Sequence, residues 1–434
     1  MKFYSTRNKE YRVSLRDAVI RGLAPDEGLY MPEQLLPLPA RFFRDLKTMS
    51  YQGIALEIAD QFFGDDIGRE HLERMIDHTI QFDVPLVQIE NDVYALELFH
   101  GPTMAFKDFG AGFMSQLLDY IAREEEKEII ILVATSGDTG SAVANGFLGV
   151  KGTRVIVLYP SGKVSNIQEK QFTTLEENVI AVEVDGTFDD CQRMVKLAFL
   201  DEELTRRFFL TSANSINIAR LIPQTFYYFF ALAQLAADPV VFSVPSGNFG
   251  NLTAGLMAKR MGLPVRQFVA ATNKNDIVPG FLQTGVFSPR HSVSTISSAM
   301  DVGNPSNFSR ITDLYNSDVE ALRKDVTAFS ISDEETRAVM KDIHHKTGYT
   351  MDPHGAVAYA GLMKFRKFAK AGAPGIFLET AHPGKFGDAV HSALGTFPDV
   401  PATLSRFLAG RKNAIPLEND FQQFKSLINE RLSG

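Results

Sequence analysis

The sequence predicts an α/β protein whose sheets are mostly parallel. Short apolar runs rich in β-branched residues recur along the chain, and segments of helix length with the helical hydrophobic period separate them. Two of these runs end in glycine-rich loops that lead directly into the next helix. Strands that alternate with helices form parallel sheets with helices on both faces, so these observations together predict the fold class.

Five apolar runs are predicted as strands. The run that begins at Glu128 leads through the loop ATSGDTG into a helix with small residues on one face. The segment 240–262 repeats this order of strand, loop and helix. The remaining three strands are predicted at 153–160, 179–186 and 267–273.

The first 95 residues are predicted to form a separate leading segment. They mix short helical patterns, such as SLRDAVIRGL from Ser14, with turns rich in Gly and Pro, such as LAPDEGLYMPE at 23–33. At roughly 100–200 residues per domain, a chain of 434 residues is expected to have two or three lobes. The acidic run at 124–128 is expected to be an exposed helix end before a strand.

The composition excludes several classes of protein and partner. With 45% apolar and 22% charged residues, the chain is globular and not disordered. The 44 Lys and Arg residues against 52 Asp and Glu residues give a net charge of −8, which has no general attraction for nucleic acid or anionic lipid. The most apolar stretch, 226–237, is shorter than the ~20 residues that span a bilayer. We therefore expect a small-molecule ligand, and neither a nucleic-acid nor a membrane partner.

The cysteine and histidine patterns predict no metal site. Cys191 is the only cysteine, so no intramolecular disulfide and no thiolate metal cage can form. His344 and His345 are adjacent, and adjacent residues do not face one direction on a helix. Charges scattered through the N-terminal residues exclude an export signal, so we expect a cytoplasmic protein. The oligomeric state is left open.

The first candidate for chemistry is the loop PSGNFGN at 245–251. Its glycines let successive backbone N–H groups turn toward one point, and the N-terminus of the following helix adds partial positive charge. Such a loop could hold a dianionic phosphate without a lysine. It could instead be a plain strand-to-helix turn with Asn251 as the helix cap.

The second candidate is the loop ATSGDTGSA at 134–142, in the same strand-to-helix setting. Asp138 would repel a phosphate, so a carboxylate or a ring substituent suits this loop better. Three small hydroxyls offer hydrogen bonds to such a ligand, those of Thr135, Ser136 and Thr139. Asp138 could instead cap a helix that begins near Thr139. Both loops follow strands, where open α/β sheets bind their ligands.

The third candidate is HGPTMAFKDFG at 100–110. Lys107 has apolar neighbours, among them Phe106 and Phe109. An apolar environment disfavours the ammonium form and makes the amine available as a nucleophile or base, as a Schiff base requires. The alternative is a surface lysine whose stem lies along apolar groups.

The fourth candidate is NSINIAR at 214–220. Arg220 could bind a carboxylate or a phosphate, with Asn214 and Ser215 as neutral partners. The alternative is a polar helix start capped by Asn214 or Ser215. The segment DPHGAVAY at 352–359 is predicted only as a helix entry, without a catalytic role.

Taken together, these segments resemble the threonine synthase family, which belongs to the fold-type II (tryptophan synthase β-like) pyridoxal-phosphate enzymes. The resemblance runs nearly end to end through GLAPDEGLYMP, ELFHGPTMAFKDFG, ATSGDTGSAV, LYPSGKVSNIQEKQ, NSINIARLIPQTFYYF, SVPSGNFGNLTAG and TAHPGKF. It implies two open, mostly parallel sheet lobes with a cleft between them in 96–434, with a smaller lobe at about 110–215. The N-terminal segment, 1–95, would precede them.

The resemblance also implies site residues and a cofactor, pyridoxal 5′-phosphate. Lys107 would hold it as a Schiff base, Thr380 would face its pyridine nitrogen, and Asp138 would lie beside its 3′-oxygen. Its phosphate would lie on the backbone of Gly247, Asn248, Phe249, Gly250 and Asn251. The residues that would bind the substrate's carboxylate and phosphate are Thr135, Ser136, Thr139, Asn214, Ser215 and Arg220.

The implied reaction is γ-elimination of phosphate from O-phospho-L-homoserine and β-addition of water, which gives L-threonine and phosphate. Two alternatives stay open: a serine or threonine dehydratase of the same fold, and a non-catalytic homologue that binds a phosphorylated metabolite. Two positions depart from the family pattern. Asp138 stands where Asn is frequent, and Ile218 stands where many relatives have Pro.

Overall fold

The computed structural model describes residues 1–123, 128–235, 239–369 and 372–432. The acidic run predicted as a helix end at 124–128 therefore lies outside the described residues, except for Glu128. The strands are β1 (Lys2–Ser5), β2 (Arg12–Ser14), β3 (Tyr30–Pro32), β4 (Leu86–Glu90), β5 (Val93–Glu97), β6 (Ile129–Ala134), β7 (Thr153–Pro160), β8 (Val179–Asp185), β9 (Phe209–Ser212), β10 (Val240–Pro245), β11 (Val265–Thr272), β12 (Val326–Ser330), β13 (Gly375–Glu379) and β14 (Ile415–Glu418).

The α-helices of the described residues lie between and after these strands. They are α1 (Leu15–Arg21), α2 (Ala40–Asp45), α3 (Tyr51–Phe63), α4 (Arg69–Thr79), α5 (Lys107–Ala122), α6 (Asp138–Phe147), α7 (Asn166–Thr173), α8 (Phe188–Leu200), α9 (Glu202–Arg207), α10 (Ile218–Leu221), α11 (Phe226–Gln234), α12 (Gly250–Arg260), α13 (Ile277–Thr284), α14 (Phe308–Leu314), α15 (Val319–Asp325), α16 (Asp333–Thr347), α17 (Pro353–Ala369), α18 (Gly387–Leu394), α19 (Ala402–Leu408) and α20 (Phe421–Arg431). Short 3₁₀ turns lie at Leu46–Thr48, Ile222–Thr225, Ser298–Met300 and Pro383–Phe386.

The predicted α/β fold class is confirmed. All five predicted runs form strands, namely β6, β7, β8, β10 and β11, and each pairs in parallel with its neighbours. The predicted helix after Ser14 is α1, whose N-cap is the Ser14 side chain. None of the helices within the described ranges is long and apolar enough to cross a membrane.

The chain divides into two compact units. Unit 1 comprises Met1, Met31–Phe106 and Leu221–Val400, and unit 2 comprises Lys2–Tyr30, Lys107–Arg220 and Pro401–Gly434. This division cuts the leading segment after Tyr30. The functional boundaries expected from the sequence, 1–95, 96–434 and 110–215, stay predictions.

Unit 2 contains a five-stranded parallel sheet in the order β14, β8, β7, β6, β9. Every residue of β6 is buried, as expected for an interior parallel strand that is covered on both faces. Side chains from the strands and from α8 and α20 form its core, among them Leu132, Ile156, Met194 and Phe424. A smaller sheet has the order β2, β1, β3.

Unit 1 contains a six-stranded sheet in the order β12, β11, β10, β13, β5, β4. Its strands are parallel except for β4, which pairs with β5 in the antiparallel direction. The core beside it includes Val241, Val269, Leu362 and Phe377. Strand β10 lies inside this sheet, as β6 lies inside the sheet of unit 2. Each unit therefore presents one of the two predicted glycine loops at the carboxyl end of an interior strand, where α/β sheets bind ligands.

Candidate active site

Lys107 is the first residue of α5, and 18% of its side chain is exposed. The Nζ atom lies 3.9 Å from Oδ2 of Asp138. Partial positive charge at a helix N-terminus disfavours an ammonium group there, whereas the carboxylate favours it. This environment differs from that of a solvent-exposed surface lysine, and it places the amine beside a buried carboxyl group.

The Asp138 carboxylate is 4% exposed and is held by a side chain that the sequence did not single out. Nε2 of Gln168 donates to Oδ1 of Asp138 at 2.8 Å. Ser165, which caps α7, in turn donates through its hydroxyl to Oε1 of Gln168 at 2.8 Å. The alternative in which Asp138 caps the helix is wrong, because α6 begins at Asp138 itself and Gly137 is its N-cap.

Gly137 allows this contact between Asp138 and Gln168. Its φ of 139° lies in a region that L side chains rarely adopt. A Cβ atom at this position would lie 2.6 Å from Cδ of Gln168. The loop therefore requires glycine at 137 both for its backbone conformation and for the approach of Gln168.

The hydroxyls of the 134–142 loop divide into two kinds. Thr135 is buried, and its Oγ1 accepts hydrogen bonds from the backbone N–H groups of Gly137 and Gly140 at 2.9 and 2.8 Å. Its hydroxyl therefore holds the loop in shape. Ser136 is exposed and Thr139 is half-buried. The substrate contacts expected for these three residues stay predictions.

Asn214 joins two strand ends of unit 2. Its Nδ2 donates at 2.8 Å to the carbonyl oxygen of Ala134, the last residue of β6. Asn214 follows β9 by two positions, so this bond fixes the segment after β9 beside the 134–142 loop. Ser215 is half-buried. Neither residue caps a helix directly, since α10 begins only at Ile218.

Arg220 lies in α10 and is 3% exposed. One Nη1–H donates to the carbonyl oxygen of Ala213. Burial lowers the pKa of Arg220 to about 10, against the opposing charge of Asp108, so the guanidinium stays charged at neutral pH. Gly110 lets α5 approach closely, because a Cβ there would lie 2.6 Å from the carbonyl oxygen of Arg220.

The loop that follows β10 in unit 1 has the geometry of an anion site. Phe249 is the N-cap of α12 and has a left-handed backbone with φ of 62°. Successive backbone N–H groups converge around such a residue, and the first N–H groups of a helix have no intrahelical acceptor. The alternative with Asn251 as the cap is wrong, because Asn251 is the second residue of the helix.

Asn251 adds a side-chain donor to this loop. The residue is 6% exposed, and its Oδ1 accepts from the hydroxyls of Tyr227 and Tyr228 at 2.8 and 2.7 Å. Its buried Nδ2 has no hydrogen-bond partner within the described ranges. A buried amide donor without a partner costs about 1–3 kcal/mol, so an anion bound at this helix N-terminus would satisfy it.

The rest of the loop is packed on both sides. A Cβ atom at Gly247 would lie 2.6 Å from Cα of Met300, so this position requires glycine. Oδ1 of Asn248 accepts from the backbone N–H and the hydroxyl of Ser306, both at 2.8 Å. These contacts restrain the loop on both sides.

Thr380 directly follows β13 and is 7% exposed. Its carbonyl oxygen accepts from the backbone N–H of Phe106 at 2.9 Å, and Ala105 and Ala381 form an antiparallel bridge. This pairing fixes the extended segment that ends one residue before Lys107. Across the described part of the chain, no group of three or more His, Cys, Asp or Glu side chains could hold a metal ion.

Comparison with family models gives three matches that together cover most of the chain. The model described as "Pyridoxal-phosphate dependent enzyme" matches residues 80–376. The models described as "Threonine synthase N terminus" and "Threonine synthase, C-terminal" match residues 2–80 and 355–428.

Individual relatives agree with these matches. A threonine synthase from Escherichia coli K12 is 45% identical over 408 residues, which cover 93% of this chain and 94% of that protein. The crystal structure of threonine synthase from Escherichia coli has a TM-score of 0.92 at 43% identity and covers 99% of this chain and 100% of its own. The PLP-bound threonine synthase from Brucella melitensis has a TM-score of 0.94 at 36% identity, with full coverage of both chains. The chain belongs to the threonine synthase family of pyridoxal-phosphate dependent enzymes.

Proposed function

We propose that this lyase converts O-phospho-L-homoserine and water into L-threonine and phosphate. The observation that carries the proposal is the largely buried amine of Lys107 beside the Asp138 carboxylate. The family supports the reaction type, and the donors at the start of α12 support a phosphorylated ligand. We also propose that the protein acts in the cytoplasm and binds no nucleic acid, since its net charge of −8 gives no general attraction for phosphodiesters.

The residues present fit pyridoxal 5′-phosphate. The backbone of Gly247 to Asn251 and the Nδ2 donor of Asn251 would hold its phosphate, and Lys107 would hold its aldehyde carbon. Thr380 would face the pyridine nitrogen with a neutral hydroxyl, and Asp138 would lie toward the 3′-oxygen. When bound, this coenzyme supplies an electron-accepting ring that stabilises negative charge at the α-carbon of an amino acid.

Lys107 is the general base in this proposal. Its free amine removes the α-proton of the substrate and becomes an ammonium group. Asp138, 3.9 Å away and fixed by Gln168, stabilises that ammonium. A second proton then leaves the β-carbon before phosphate departs from the γ-carbon. Water adds its hydroxyl at the β-carbon, and the proton of this water together with the two removed protons goes to the γ-carbon, the α-carbon and the departing phosphate, so that the reaction balances.

Arg220 and the small polar side chains of unit 2 bind the substrate's two anionic groups in this proposal. A buried guanidinium has already lost much of its hydration, so a bound carboxylate or phosphate gains a strong interaction. The neutral partners are Thr135, Ser136, Thr139, Asn214 and Ser215. Thr135 acts indirectly, because its hydroxyl is bonded to the loop itself.

The products of the reaction distinguish the proposed function from its two alternatives. A serine or threonine dehydratase would release 2-oxobutyrate from threonine, whereas the proposed enzyme releases phosphate from O-phospho-L-homoserine. A non-catalytic homologue would bind the phosphorylated compound and release neither product. Parallel assays of both substrates with the holoenzyme therefore decide between the three functions.

We predict that Lys107→Ala abolishes the coenzyme's protein-linked absorbance band and lowers turnover by at least about 10³-fold, because nucleophile and base are lost together. Absorbance spectroscopy and phosphate release measure the two effects. Lys163→Ala, at an exposed position of the same unit, is the matched control and should change neither. Threonine formation by Lys107→Ala at the wild-type rate would disprove the assignment.

We predict that Arg220→Ala raises the KM for O-phospho-L-homoserine about 10- to 100-fold, as expected when a charge-assisted hydrogen bond is lost. The coenzyme content should stay at the wild-type level. Steady-state kinetics and the absorbance spectrum are measured on the same preparations, with exposed Arg206→Ala as the control. Loss of coenzyme with an unchanged KM would instead place Arg220 at the coenzyme phosphate.

We predict that Gln168→Leu lowers kcat about tenfold, because Asp138 loses the amide of Gln168 as a donor and with it one charge-assisted hydrogen bond. Gln168→Glu should be worse, since it brings a second carboxylate against Asp138. In an Asp138→Asn background, Gln168→Leu should have little further effect, as for two residues acting through one interaction. Fully additive losses in kcat would show that Gln168 does not act through Asp138.

A further inference from the structure

Three titratable side chains lie buried together in unit 1, and none of them has a role in the site described above. Asp352 and His354 lie at the start of α17, and Glu379 is the last residue of β13. Their exposures are 0%, 2% and 0%. A buried charge requires hydrogen-bonded partners to be tolerated, so the bonds within this cluster define its state.

Asp352 carries the negative charge of the cluster. One carboxylate oxygen accepts from the backbone N–H of His354 at 2.8 Å and lies 2.5 Å from Nδ1 of the same residue. The other oxygen accepts from the backbone N–H of Gly355 at 3.3 Å. Burial acts to raise the pKa of Asp352, but the hydrogen bonds from His354 counter this and the pKa lies below the ordinary carboxyl value.

Glu379 lies beside Asp352 in the cluster. Burial raises its pKa well above the ordinary value, and the negative charge of Asp352 raises it further. The contact is close, because Oε2 of Glu379 lies 3.4 Å from the backbone N of Asp352. A Cβ at Gly355 would lie only 2.0 Å from Oε1 of Glu379, so glycine makes room for the acid.

His354 connects this cluster to another segment. Its Nε2 accepts a hydrogen bond from the backbone N–H of Ala299 at 3.2 Å. A ring nitrogen that accepts carries no proton, so the ring proton is on Nδ1 and is donated to Asp352. The imidazole thus bridges Asp352 and the 3₁₀ turn Ser298–Met300.

That turn packs directly against the loop proposed to hold phosphate. A Cβ at Gly247 would meet Cα of Met300 at 2.6 Å and the carbonyl oxygen of Ala299 at 3.1 Å. The backbone of the turn is therefore in contact with the backbone of the loop. A shift of the turn by a few tenths of an ångström would move Gly247 or open a gap beside it.

We infer that His354 is a positioning residue for the phosphate-binding loop, and that Asp352 orients its ring. The acceptor at Nε2 holds Ser298–Met300 against Gly247. Because Glu379 directly precedes Thr380, the same cluster also touches the strand end proposed to face the pyridine ring. This role rests on the proposed coenzyme site.

The test compares two substitutions of His354 in the holoenzyme. His354→Phe keeps a ring, which packs on Phe386 in the wild type, but has no acceptor for Ala299. His354→Gln offers a carbonyl oxygen to the same N–H. The readouts are the rate of coenzyme release on dilution and the ³¹P resonance of the bound coenzyme, with exposed His345→Gln as the control.

We expect His354→Phe to release the coenzyme about tenfold faster, as for one lost buried hydrogen bond, and to shift the ³¹P resonance. His354→Gln should return both readouts toward the wild type. The inference would be overturned if a folded His354→Phe variant had the wild-type release rate and ³¹P resonance. It would also be overturned if His354→Phe and His354→Gln had equal defects. A wild-type protein that binds no coenzyme would instead refute the proposed function.

Two further variants decide the question if His354→Phe does not fold. Asp352→Asn removes the charge that orients the imidazole, so coenzyme release should be faster. Glu379→Gln keeps the size of the side chain and leaves the bonds of His354 to Asp352 and Ala299 in place, so release should stay within about twofold of the wild type. The opposite result, in which Glu379→Gln releases the coenzyme faster and Asp352→Asn releases it at the wild-type rate, would contradict the role of Asp352.

Discussion

The structure of the site depends on the backbone pairing between two extended segments of unit 1. Residues 104–106 pair with residues 380–382. The N–H of Phe106 donates to the carbonyl oxygen of Thr380, and the N–H of His382 donates to that of Met104. Between these two bonds, Ala105 and Ala381 form an antiparallel bridge. The last residue before Lys107 and the residue proposed to face the pyridine ring are thereby joined directly. Backbone hydrogen bonds are short and directional, so they fix these two positions more tightly than side-chain packing alone.

Within each unit, the groups proposed to react have neighbours that fix their positions. Gln168 holds Asp138 beside Lys107, and Thr135 holds the loop that carries Asp138. In unit 1, Ser306 holds Asn248, and the turn at 298–300 closes on Gly247. The side chains proposed to do the chemistry are thus few, and the polar residues named beside them restrain them.

The sequence alone predicts the elements that local residue patterns determine. The order of strand, glycine loop and helix was readable at 128–147 and 240–262, because apolar runs and glycines report on neighbouring residues. Local patterns also indicate the four candidate segments, whereas the coenzyme follows only from the family resemblance. The sequence does not show whether Asn251 or Asp138 caps a helix. The first residue of each helix depends on the backbone angles at Phe249 and Gly137, which the residue types there do not determine.

Side-chain contacts between segments that lie far apart in the sequence could not be predicted from it. Gln168 and Asp138 are 30 positions apart, and Glu379 and Asp352 are 27 apart. Nothing in DPHGAVAY indicates a bond from His354 to Ala299, because that bond exists only once α17 packs beside the turn at 298–300. A histidine at a helix entry has many ordinary explanations, and only the position of its ring nitrogens reveals a partner.

The most direct test of this account is a crystal structure of the coenzyme-loaded protein. The account predicts continuous electron density from Nζ of Lys107 to the coenzyme, with the phosphate on the backbone of 247–251 and the Thr380 hydroxyl at the pyridine nitrogen. Density that joins the coenzyme to a different lysine, or that places its phosphate away from the start of α12, would contradict it.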